Sequence, residues 1–233
     1  MNIKFIDANC MVGRWGIQKL YFETIGQLLS EMDYHGIEKG LVYHSLAWQY
    51  DPEFGNKKLL EEIGGNFRIL PIFVIAPWDR PEDEWLRAQE EFVRKNAFAI
   101  RLFPRDQNFL LARWNIEKIL LFLERIRMPL FINYDQLDFS KINEVLSSYP
   151  DLPVIISNTG YRIGRILNSL FERYNNFYLE ISTFFSYEGI EEICRRFGAQ
   201  RLIFGTRMPF IDPGAMLARI IYADIDDEKK RER

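Results

Sequence analysis

Histidine and cysteine are scarce in this chain of 233 residues, which holds only His35, His44, Cys10 and Cys194 of these types. Two cysteines supply no disulfide framework and no cysteine-rich zinc cluster. Two histidines cannot furnish the three- or four-imidazole ligand sets of many hydrolytic metal centres. Long hydrophobic runs are missing too, since no stretch approaches the ~18 apolar residues of a membrane span. The opening Met1-Asn2-Ile3-Lys4-Phe5-Ile6-Asp7 has neither the apolar core of a secretory signal nor the Arg- and Ser-rich helix of a transit peptide. Cytoplasmic residence, without a membrane, is therefore the expectation. Excess positive charge is also absent. With a net charge of −3, and with Arg195-Arg196 and Lys229-Lys230-Arg231 offset by neighbouring acids, no nucleic-acid partner is expected.

What the chain does have is 48% apolar and 15% aromatic residues, enough for one extensive core. Short β-branched or aromatic runs alternate with segments of helical periodicity. The strands are expected at 3–8, 40–45, 69–76, 98–103, 129–134, 153–157, 177–182 and 201–205. The helices are expected at 22–34, 51–63, 81–95, 116–127, 142–149, 163–173, 188–197 and 213–223. Asp51-Pro52 reads as a helix cap and first position. The segment after Pro81 is acidic at its start and basic at its end, as a helix dipole favours. Strands such as Leu130–Ile132 and Val154–Ile156 are apolar throughout, the pattern of parallel strands covered on both faces. Eight such units without a linker predict an α/β single domain, a (β/α)₈ TIM barrel spanning residues 1–233. The tail from Asp224 reads as a solvated helix or frayed end. No G-x-G-x-x-G follows the first strand, which argues against a dinucleotide fold.

In such a barrel, functional residues sit at the C-terminal ends of the strands. Read in order, those ends resemble the amidohydrolase superfamily. Asp7-Ala8-Asn9-Cys10-Met11-Val12-Gly13 is similar to Asp-x-His-x-His-x-Gly, with Asn9 and Met11 at the histidine places. Ala99-Ile100-Arg101-Leu102-Phe103-Pro104 resembles Gly-Ile-Lys/Arg-Leu-His-Pro, with Phe103 for histidine. Strand five ends on Asn133 and strand six runs into Asn158-Thr159-Gly160, each Asn at a histidine place. Asn176-Phe177-Tyr178-Leu179-Glu180-Ile181-Ser182 follows Asn-Val-Tyr-Leu-Asp-x-Ser. Arg201-Leu202-Ile203-Phe204-Gly205-Thr206-Arg207-Met208-Pro209-Phe210 follows Arg-Ile-Leu-Phe-Gly-Ser-Asp-x-Pro-Phe, with Arg207 for aspartate. The likeness covers Ile6 to about Pro213.

The resemblance implies a divalent metal held by histidines on strands one, five and six and an aspartate on strand eight, activating a water for hydrolysis. Carboxamides and a thioether are poor ligands, and a guanidinium repels a cation. No metal and no cofactor are therefore expected. Two readings of the altered site stay open. In one, the asparagines, Arg207, Asp7 and Glu180 satisfy one another in a buried plug. In the other, Asn9, Arg101, Asn133, Asn158 and Arg207 bind a small anionic molecule. The first function expected is a pseudo-enzyme or small-anion-binding protein. The alternatives are a metal-independent hydrolase, lactonase or decarboxylase with His44, Glu180 or Asp7 moving protons, and a structural or oligomerisation module. Cys10, alternating with Asn9 and Met11, is expected to point away from the axis. Trp15, Trp48, Tyr50 and Phe54 are candidates for a lid or stacking wall, and a homo-oligomer is left open.

Overall fold

The computed structural model describes residues 3–77, 82–136, 139–226 and 230. Eight strands follow one another around a single sheet: β1 (Phe5–Val12), β2 (Ile37–His44), β3 (Ile69–Val74), β4 (Ala99–Leu102), β5 (Leu130–Asn133), β6 (Val154–Ser157), β7 (Phe177–Glu180) and β8 (Leu202–Ile203). Every neighbouring pair is parallel and consecutive. The ring closes through Ala8 N–H donating to Phe204 O at 2.9 Å and Met11 N–H to Met208 O at 2.8 Å. This is the expected (β/α)₈ barrel.

The helices among the described residues are α1 (Ile25–His35), α2 (Ser45–Gln49), α3 (Pro52–Ile63), α4 (Glu82–Asn96), α5 (Arg113–Arg125), α6 (Phe139–Ser148), α7 (Gly164–Arg173), α8 (Gly189–Phe197) and α9 (Gly214–Tyr222). Local chemistry sets several ends. Thr24 and Gln27 form a reciprocal capping box before α1, and Gly36 ends it in the left-handed region at φ 69°. Asp51 accepts from Phe54 N–H at 2.7 Å with Pro52 at the first helical position, as the sequence predicts. Helix α5 starts at Arg113, earlier than expected, and bends at Ile116 where φ is −143°. Helix α2 is an addition to the expected scheme. None of these helices is long and apolar enough to cross a membrane. The tail expectation falls largely outside the described residues, as does Pro81.

Strand alternation sorts the core into two clusters. Outward-facing Ile100, Leu102, Leu130, Ile132, Val154, Ile156 and Leu179 are buried against the helices. Inward-facing Ile72, Val74, Ala99, Phe131 and Ile155 fill the barrel. Burying one large aliphatic or aromatic side chain contributes about 1.5–3 kcal/mol, so this double-sided packing is what fixes the strands. It also fixes which residues reach the mouth.

Candidate functional site

Two residues further along the strands, the inward positions turn polar. Arg101 follows Ala99 on β4, Asn133 follows Phe131 on β5, and Ser157 follows Ile155 on β6. Asn9 on β1 and Glu180 on β7 complete a buried layer across the barrel. Arg101 is its centre. The guanidinium donates to Asn133 Oδ1 at 2.8 Å through Nη1 and to Asn9 Oδ1 at 3.1 Å through Nη2. It lies over the rings of Tyr43, 4.6 Å from the centroid, and Phe131, at 5.1 Å. Cation–π contact of this kind compensates part of the lost hydration. Burial lowers its pKa, and Glu180 and Tyr43 act against that shift.

The amides pass the network on. Asn9 Nδ2 donates to Glu180 Oε2 at 2.7 Å, and Ser157 Oγ donates to Asn133 Oδ1 at 2.8 Å. Glu180 also accepts from Ser182 N–H at 2.6 Å and from Ser182 Oγ at 2.9 Å. Full burial pushes its carboxyl up to about 7, against the lowering effect of the Ser182 bonds and of Arg101. Gly205 makes room for this carboxylate, because a Cβ there would meet Glu180 Oε1 at 2.3 Å and Asn9 Cβ at 3.0 Å. Asp7 accepts from Thr206 N–H and Asn9 N–H, each at 3.0 Å, and from the Thr206 hydroxyl. Burial raises its pKa, with the Thr206 hydroxyl bond opposing.

The structure thus brings together Asn9, Arg101, Asn133 and Glu180, with Asp7 alongside on β1. It does not place Arg207 with them in a plug. Neither Asp7 nor Glu180 pairs with Arg207, so the guanidinium inside the barrel is Arg101 instead. Arg207 is half-buried after β8, in the left-handed region at φ 62°, with its guanidinium 5.4 Å from the Phe210 ring centroid. Asn158, after β6, also takes a left-handed backbone at φ 59°, and its Oδ1 is buried without a partner. A side chain held there costs on the order of 1–3 kcal/mol, and such residues concentrate at functional sites.

His44 is elsewhere. On β2, Tyr43 faces the barrel interior while Val42 packs outward, and His44 shares the outward side. Its Nδ1 accepts from Leu46 N–H at 3.1 Å, capping α2, and its Nε2 lies 3.5 Å from Glu62 Oε2 on α3. Burial lowers its pKa, with Glu62 raising it and Lys58 lowering it. Cys10 also faces outward, beside Met32 of α1 and Gly40, and burial holds its thiol well above the usual range. The aromatic wall divides. Trp48 lies flat on Phe103 at 4.2 Å and 4°, Trp15 packs on Trp48 at 4.6 Å and edge-on to Phe210 at 5.3 Å. Tyr50 and Phe54 instead pair with each other on the exposed surface. Tyr43, Ser157, Ser182, Gly205 and Thr206 also belong to the site, although the strand-end resemblance does not mark them as site residues. Inward parity with Leu41 and Ile155 points to Tyr43 and Ser157.

A divalent metal, implied at this level by the resemblance, does not suit the donor set. Both amide oxygens of Asn9 and Asn133 already accept from a guanidinium, and Arg207 is cationic where an acid would be needed. Among the described residues no three His, Cys, Asp or Glu side chains are grouped to hold an ion.

The amidohydrolase family profile matches residues 38–233, beginning just inside β2. Comparison with curated proteins gives no match. Among solved structures, the chain is similar to 2,6-dihydroxybenzoate decarboxylase from Rhizobium, with a TM-score of 0.78 at 14% identity over 99% of this chain and 95% of that one. It is similar to dihydroxybenzoic acid decarboxylase from Polaromonas sp. JS666 with bound manganese and 2-nitroresorcinol, with a TM-score of 0.73 at 14% identity over 99% and 94%. A third is a probable 2-pyrone-4,6-dicarboxylic acid hydrolase from Acinetobacter baumannii with citric acid bound, at 0.69 and 14% over 99% and 96%. At these identities the likeness shows the fold alone.

Proposed function

Given that this chain belongs to the amidohydrolase family, we propose that it is a metal-independent member whose barrel mouth binds a small carboxylate, a pseudo-enzyme with respect to metal-assisted hydrolysis. The observation that carries this reading is Arg207. It is a half-buried guanidinium at the mouth with a ring contact to Phe210 and no hydrogen-bond or ion-pair partner among the described residues. Its charge is felt by both Tyr43 and Arg101 below it. A second cation that close, left without an acid, favours an anion from solution. Thr159 Oγ1 and Thr183 Oγ1, which follow β6 and β7 at the same end of the barrel, are buried without partners. Buried hydroxyls in that state are suited to donate to a ligand. Half-buried Trp15, Trp48 and Phe210 supply an apolar wall. The solved relatives named above act on or hold carboxylic acids, which agrees with this choice of anion.

The test is a thermal-shift titration with benzoate on wild type and Arg207→Ala, together with elemental analysis of the purified protein. Saturating benzoate should raise the melting temperature of the wild type, by up to about 3 kcal/mol of stabilisation at a hundredfold excess over Kd, and leave the variant unmoved. A shift that survives in the variant, or depends on one equivalent of zinc or manganese, would overturn the reading. No shift with any carboxylate would favour a structural module.

One observation favours a second reading. Glu180, pushed up to about 7 beside Asn9, is poised to exchange a proton near neutrality. In that reading the mouth supports metal-independent hydrolysis, lactone opening or decarboxylation, with Arg101 and Arg207 stabilising negative charge.

A further inference from the structure

A separate recess of about 460 Å³ opens on the loop between β1 and α1, lined by residues that include Arg14, Trp15, Gln18, Lys19 and Glu23. Its size is that of a small-molecule subsite. Arg14 and Lys19 are exposed, and neither has an ion-pair partner among the described residues. Glu23 is the one carboxylate in the lining, so the recess keeps a net positive charge. One residue joins this recess to the mouth. Trp15 lines the recess and also touches Trp48 and Phe210, and Phe210 carries Arg207 against its ring. Arg207 and the Arg14–Lys19 pair are therefore linked through the half-buried indole and the Phe210 ring.

We propose that this recess is a second anion subsite, and that the ligand of the mouth is a dicarboxylate whose apolar middle lies across Trp15. One acid group sits at Arg207 and the other at Arg14 and Lys19. The inference rests on the mouth binding a carboxylate. Its own content is the second charge. Exposed ion pairs are individually weak, so two of them add on the order of tenfold in affinity. Salt should reduce that gain more than it reduces binding at the half-buried Arg207.

The experiment measures Kd for α,ω-dicarboxylates from succinate to sebacate, each against the monocarboxylate of equal length, on wild type and Arg14→Gln/Lys19→Gln. Both replaced side chains are exposed, so the fold is not at stake. The expected result is one chain length at which the dicarboxylate binds about tenfold tighter, with that advantage erased in the double variant and monocarboxylate affinity unchanged. Monocarboxylate binding with no dicarboxylate advantage, or an advantage that persists in the double variant, overturns the second subsite and leaves the mouth reading intact. If neither class binds, the mouth reading fails and the subsite with it.

Discussion

Arg101 and Arg207 carry the same guanidinium at the same end of one barrel, and their surroundings are opposite. Arg101 is fully buried, bonded to two amides and flanked by two aromatic rings. Arg207 is half-buried, strained in φ and in contact with a single ring. Arg101 donates through both terminal nitrogens, to Asn133 and Asn9, with Nε buried unpaired, and so has become part of the scaffold that joins β1, β4 and β5. A charge with solvent on one side needs no internal partner and stays available to a ligand. The same chemistry is structural inside and receptive outside.

The largest effect that separates the two is on stability. Arg101→Met roughly keeps the volume but removes the guanidinium donor from both amides, leaving Asn133 Oδ1 with Ser157 alone and Asn9 Oδ1 with no other hydrogen bond in the network. A cost of about 3–5 kcal/mol is expected in urea denaturation. Arg207→Met, which breaks no internal bond, should stay within about 0.5 kcal/mol. Equal losses in the two variants would refute the division between scaffold and receptor.

Next in size is the pH dependence set by Glu180. Its folded pKa lies above the ordinary carboxylate value of 4.5, at about 7. The folded state therefore binds more protons than the unfolded chain between those values, and stability falls as pH rises through that window. The cost is absent below the unfolded pKa and complete above the folded one, at most about 3 kcal/mol. Glu180→Gln should flatten the profile, with Asp7 contributing a remainder of the same sign. Under the second reading, any chelator-resistant turnover should also fall in this variant. A profile unchanged by the substitution would show that Glu180 ionises freely in the fold.

Much of this arrangement was legible before the fold was known, for definite reasons. Eight alternating units specify the barrel because each apolar run must be covered on two faces. Parity along β4 and β5 places Arg101 and Asn133 inward once Ala99 and Phe131 are core. What could not be read is the link between Arg101 and Asn9, 92 residues apart, which exists only because the sheet closes on itself. Helix α2 is too short to leave a period in Ser45–Gln49. The raised pKa of Glu180 follows from burial, which no residue pattern states. The plug reading, one of the two left open, puts Arg207 where the structure has Arg101, since strand-end position alone does not say which of two guanidinium groups lies below the rim.

The smallest effect concerns His44, on the outer side of β2. Its imidazole caps α2 and meets Glu62, and neither contact reaches the polar layer. Asparagine can accept from the same helix N-terminus, so His44→Asn should keep most of the cap and lose the Glu62 contact, for about 1 kcal/mol. Because burial holds its folded pKa low, the histidine's own contribution is present above its unfolded pKa and is lost as pH falls, the opposite sign to Glu180. The variant should remove that acid-side loss while leaving the benzoate shift untouched. If the shift disappeared with His44 while the denaturation midpoint held, the imidazole would have to reach the mouth. The division of the molecule into an outer structural histidine and an inner anion site would then be redrawn.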